Sequence, residues 1–201
     1  MNARTAPVIA IAAALFAVGC SDPDPTPSPS TAPTVSTATS SAWPTPTPLT
    51  PEEEATAAAE EVVRKYFETV PRCLADPMNT EPSCFDDVAI GSELNDSRNS
   101  LIAAKQVEST ASGALDVISL ERQSIDLSHD LEASPPNPAT VIFEVCTDVS
   151  RFQIVDNDGN SLIPADRNPR VRANLGVLNY EYPDGDGWRV GWVEELEEST
   201  C

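Results

Sequence analysis

Residues 50–71 read TPEEEATAAAEEVVRKYFETVP, and this stretch decides the fold class. Thr50 suits the N-cap, Pro51 the first helical position, whose N–H is unpaired in any helix, and Glu53 can close a capping box with Thr50. Behind that start, Ala55, Ala58, Ala59, Val62, Val63, Tyr66, Phe67 and Val70 recur at spacings of three and four, a continuous apolar stripe. Pro71 lacks the amide that another turn needs, so the spacing predicts a helix that stops there. A helix with one apolar face must bury it against a second layer.

Downstream the pattern changes period. A second helix is expected over 97–109, with Asp96 or Ser97 as its cap and Leu101, Ile102, Ala104 and Val107 as its apolar residues. Residues 115–127 carry Val117, Ile118, Leu120, Ile125 and Leu127, a strand signal. Residues 140–155 alternate Val141, Phe143 and Val145 against Glu144 and end in Ile154 and Val155. The turn Asp156-Asn157-Asp158-Gly159 leads to a short stretch at 161–163. Charges suggest a register for the last hairpin: Tyr182 opposite Trp188 sets Glu181 against Arg189, Arg172 against Glu198 and Val177 against Val193. Helices followed by long antiparallel strands give an α+β fold, with the helices on one face of a curved antiparallel sheet.

Upstream the chain is of another kind. Residues 21–48 hold 8 Pro, 6 Ser and 7 Thr, with Asp22 and Asp24 their only charges. Such a stretch cannot bury enough apolar surface to order itself, and reads as a tether with a reach on the order of 85 Å if extended. Trp43 near its end is expected to pack back onto the domain that follows. Ahead of the tether, Arg4 and the amino terminus precede an apolar run over 6–18, too short to span a bilayer and right for a secretory leader. The run ends Ala17-Val18-Gly19-Cys20, which resembles the lipobox of bacterial lipoproteins, with Ala17 where that family prefers Leu. The resemblance implies cleavage after residue 19 and lipidation of Cys20. The expected organisation is therefore a signal peptide over 1–19, a lipidated Cys20 and tether over 20–48, and a single domain over 49–201.

Net charge is −20, and residues 49–201 hold 11 basic against 30 acidic residues. That composition argues against a nucleic-acid partner, whose phosphates need a basic footprint, and against a domain lying flat on anionic lipid. Membrane association falls to the Cys20 lipid. Cys73, Cys84, Cys146 and Cys201 remain, and in an exported chain four cysteines imply two disulfides with three possible connectivities. Cys73 and Cys84 bracket a Pro-rich loop that a short bridge would pin. Cys146 would then pair with Cys201. A zinc site is disfavoured, because close cysteine pairs are absent and His129 is the sole histidine.

The capped helix with Tyr66 and Phe67, the strand run Val145-Cys146-Thr147-Asp148-Val149-Ser150, and Gly187-Trp188-Arg189-Val190 together resemble exported actinobacterial lipoproteins. Their domain adopts the nuclear-transport-factor-like (cystatin-like, SnoaL-like) cone. The resemblance covers residues 50–201. It implies a bent sheet wrapped around the long helix with a conical cavity, in a superfamily of both enzymes and binding modules.

The residues do not assemble a catalytic set. The ketosteroid-isomerase type needs a Tyr donor and a carboxylate base in an apolar pocket; Tyr66 and Asp126 are the candidates. Tyr66 is expected to be part of the apolar stripe with its hydroxyl at the rim, packed with Phe67 and Val63. Asp126 and His129 are expected at the surface. The Asp156–Gly159 and Asp184–Gly187 runs lack the first carboxylate and the bidentate Glu of a calcium loop and read as turns. Arg167, Arg170 and Arg172 face an acidic group, Glu194, Glu195, Glu197 and Glu198, and mutual neutralisation across the final hairpin is expected. The expected function is a membrane-tethered, extracytoplasmic binding module without cofactor or metal. Its partner would be an envelope protein or a small apolar ligand; a SnoaL-like enzyme is the alternative.

Overall fold

The computed structural model describes residues 48–196 and Cys201. The leader, Cys20, Trp43, nearly all of the tether, Glu197 and Glu198 lie outside the described residues.

Helix α1 runs Pro51–Leu74. Its start is the capping box: the Glu53 amide donates to Thr50 Oγ1 at 3.2 Å and the Thr50 amide to Glu53 Oε2 at 2.7 Å. Pro71 does not end it. The ring sits buried inside the last turn, which continues to Leu74 and carries Cys73 into a disulfide with Cys84, Cα atoms 6.1 Å apart. One missing backbone bond is tolerated there because the bridge and burial hold the turn from outside.

Two short 3₁₀ turns, Pro77–Asn79 and Pro82–Phe85, lead to α2, Gly91–Gln106. This helix begins six residues ahead of the sequence expectation, and neither Asp96 nor Ser97 caps it. Residues 88–90 instead pair with the last strand: the Ile90 amide donates to the Val190 carbonyl at 2.9 Å, and the Val190 amide to the Val88 carbonyl at 2.9 Å. Gly91, at φ +63°, then turns the chain into the helix, and Ser92 Oγ donates to the Gly191 carbonyl at 3.0 Å. Of the expected apolar residues Leu101 is fully buried, while Ile102 and Val107 are exposed.

The strands are β1 Thr110–Ser112, β2 Asp116–Asp126, β3 Ala139–Asp148, β4 Gln153–Val155, β5 Arg170–Asn179 and β6 Trp188–Glu195. The stretch at 140–155 is thus not one strand. A turn in which Asp148 accepts from the Ser150 amide breaks it, and β4 leaves to pair with β1 in a separate two-stranded sheet. The main sheet is antiparallel in the order β2-β3-β5-β6. Its inner face, with Val141, Phe143, Val145, Leu175, Val177 and Val190 fully buried, packs against Ala59, Val63 and Tyr66 of α1. The fold is α+β, two helices with an antiparallel sheet.

The final hairpin takes another register. Asn179, not Tyr182, lies opposite Trp188, Leu178 opposite Arg189 and Val177 opposite Val190. Asn179 is fully buried; its Oδ1 accepts from the Glu181 amide at 2.8 Å and its Nδ2 donates to the Asp184 carbonyl at 2.5 Å. A buried amide must be satisfied, and here the loop backbone does it, so β5 ends at residue 179. Arg189 bonds backbone carbonyls of Asp86, Asp186 and Trp188 instead of Glu181. Arg172 meets Glu144 on β3 at 3.6 Å. A register shift at Gly176/Val177 sets Trp192 opposite Gly176, where a Cβ would collide with the indole. Cys146 of β3 is bonded to Cys201, Cα atoms 6.0 Å apart.

Candidate functional site

The early start of α2 brings Glu93 over α1. Tyr66 Oη donates to Glu93 Oε1 at 2.5 Å, and Ser97 Oγ, one turn along α2, donates to the same oxygen at 3.2 Å. All three residues are buried: Tyr66 is 8% exposed, Glu93 and Ser97 7% each. The Tyr66 hydroxyl is therefore not at a rim. Burial pushes its pKa up, and the Glu93 charge beside it adds to the shift. Burial also raises Glu93 above the usual carboxylate range, with Asp96 reinforcing and the Tyr66 and Ser97 bonds opposing. Tyr66 also packs edge-on against Phe67, ring centroids 5.3 Å apart.

Past Tyr66 and Phe67 the sheet and α1 leave a cavity of about 300 Å³. Its walls are Ala173 and Val193 from the sheet, Val149 and Phe152 from the turn after β3, and Tyr66 and Phe67 from the helix. Thr147, Arg167 and Glu195 are the further polar residues that line it, while Glu93 does not. The Tyr66 proton is committed to Glu93, so the cavity meets the Tyr66 ring and not the carboxylate behind it. Phe67 and Leu115 also line a wider groove of about 600 Å³, walled by Arg64, Glu68 and Arg72 of α1 and residues 111–117. The apolar cavity is the better ligand site, because charged side chains in the wider groove keep it hydrated.

The remaining candidates lie elsewhere. Asp126 is exposed and accepts from the Ser128 amide and hydroxyl at 2.8 and 2.6 Å, bonds that hold its carboxyl below the ordinary range. His129 is exposed, with Nε2 at 3.0 Å from the Tyr180 carbonyl; that oxygen only accepts, so Nε2 carries the proton. Asp156 accepts from the amides of Asp158 and Asn160, and Asp184 from that of Asp186, so both acidic runs cap their own turns. Among the described residues no group of three or more His, Cys, Asp or Glu is placed to hold a metal ion. No helix among them is long and apolar enough to cross a membrane.

Of the acidic group expected to face these arginines, Glu197 and Glu198 lie outside the described residues. Arg172 pairs with Glu144, Arg170 lies near Asp148, and Arg167 Nη2 donates to the Val149 and Phe152 carbonyls at 2.6 and 2.8 Å. Glu194 and Glu195 are exposed at the end of β6. Glu93 is the residue the sequence reading missed. Its signal was the spacing Leu94–Leu101 with Ser97 between, which extends the helical period back toward residue 91.

No family model matches the chain, and no curated protein matches it either. Among solved structures it is similar to the intermembrane space region of the chloroplast protein ARC6, at 14% identity and a TM-score of 0.44, over 70% of this chain and 95% of that one.

Proposed function

We propose that the chain is a membrane-tethered extracytoplasmic lipoprotein, anchored through Cys20, whose domain is a non-catalytic binding module for a small apolar ligand. In this reading the sheet and α1 form a cystatin-like cone. The observation that carries it is the apolar cavity of about 300 Å³ between α1 and the sheet, within the size range of small-molecule sites. Two disulfides suit an oxidising compartment, and the leader ending at Cys20 supplies the anchor.

The test is calorimetric titration of the chain with octanol, an uncharged apolar probe. Saturable binding to the wild type is expected, and its loss on substitution of the cavity-lining Val171 by the bulkier Trp, Val171→Trp. Absence of saturable binding would end the binding-module reading. The enzyme alternative, in which Tyr66 would donate to substrate, requires the Tyr66 hydroxyl to give up its bond to Glu93. For a binding module Tyr66→Phe lowers stability and leaves octanol affinity unchanged.

A further inference from the structure

We infer that the cavity takes a small apolar anion, a carboxylate of the short fatty-acid or aryl-acid class, with Arg167 as its counter-ion. The inference rests on the cavity-binding reading above and names the class of ligand.

Arg167 lines the cavity and is half-buried. Its Nη2 is fixed by two carbonyls of the turn after β3, Val149 at 2.6 Å and Phe152 at 2.8 Å. Those bonds use both Nη2 hydrogens and leave the N–H groups of Nε and Nη1 as donors. No ion pair joins Arg167 to a carboxylate among the described residues, where the ion pairs are those of Arg98, Arg151 and Arg172.

An unpaired, positioned guanidinium beside an apolar wall is what a ligand with one anionic end and an apolar body requires. Its body would lie against Phe67, Phe152, Ala173 and Val193, and its charge would meet Arg167. Glu195 is the opposing charge; it stands exposed at the end of β6, where water and salt screen it more than the half-buried guanidinium. Both carbonyl bonds to Arg167 come from the segment that walls the cavity, so the guanidinium and the apolar wall are held as one unit.

The experiment compares octanoate with octanol by calorimetry at neutral pH, using the full chain carrying Cys20→Ala in detergent-free buffer. Octanoate is expected to bind about tenfold or more tightly than octanol, with the gap shrinking as salt is added. Arg167→Gln should erase the gap, and Arg167→Lys should retain part of it. Equal binding of the two probes by the wild type overturns the inference while the cavity reading stands; binding of neither overturns both. A gap that survives Arg167→Gln in a folded variant also overturns the assignment of Arg167. Should Arg167→Gln fail to fold for want of its carbonyl bonds, the wild-type gap and its salt dependence decide.

Discussion

Glu93 is a buried carboxylate with one oxygen accepting from two hydroxyls, which makes its protonation part of the folding equilibrium. Its pKa is raised in the folded protein, so as the pH rises the folded state keeps a proton that the unfolded chain has already lost. Stability from this group is fullest at low pH and declines as the pH rises through that window. Glu53, Asp126, Asp148 and Asp156 are shifted down and act in the opposite sense. Urea melts of wild type and Glu93→Gln across pH isolate Glu93, because the other four cancel in the difference. The Gln variant is expected to gain on the wild type as the pH rises, since its amide oxygen accepts the same bonds without a buried charge. Glu93→Ala leaves the Tyr66 hydroxyl unpaired and should cost about 1–3 kcal/mol. Tyr66 was legible as a core residue from its place on the stripe. Its partner was not, because the Leu94, Ser97 and Leu101 spacing marks the helix but not that α1 will bury the Glu93 carboxylate.

At the scale of elements, what the sequence disclosed depended on how local the determinants were. The α1 start lies wholly in Thr50, Pro51 and Glu53, and the structure reproduces it bond for bond. The α2 start is set by backbone pairing of residues 88–90 with Val190, a contact a hundred residues away that no capping pattern records. The hairpin register failed for a related reason. Exposed charge pairs contribute little, up to about 1 kcal/mol, and a buried Asn179 that must be satisfied outweighs them. The shift beside Gly176 is equally hidden, and it yields a prediction. Gly176→Ala drives a methyl into the Trp192 indole and should destabilise the domain by about 1–3 kcal/mol. Trp192→Val in the same chain should recover much of that loss, as read from urea midpoints at constant m-value.

Over the whole molecule, the order of helices before strands was enough to give α+β, while the cavity and its edge depended on the turn at 149–152 that divides β3 from β4. Net charge of −20 sets the domain against anionic surfaces, so on the proposed reading attachment rests on one residue. Cys20→Ala is expected to move the chain from the membrane to the aqueous fraction in detergent partitioning, or to leave a precursor of higher mass. The bond between Cys146 and Cys201 makes a covalent ring of the last quarter of the chain, with β5 and β6 inside it. A protease that cuts once in the exposed segment at 156–166 opens a circle instead of severing a line. Both new ends stay attached, β5 and β6 cannot diffuse away from β3, and the cut molecule keeps its full mass until the sulfurs are reduced. Such a domain can be nicked and still remain one molecule.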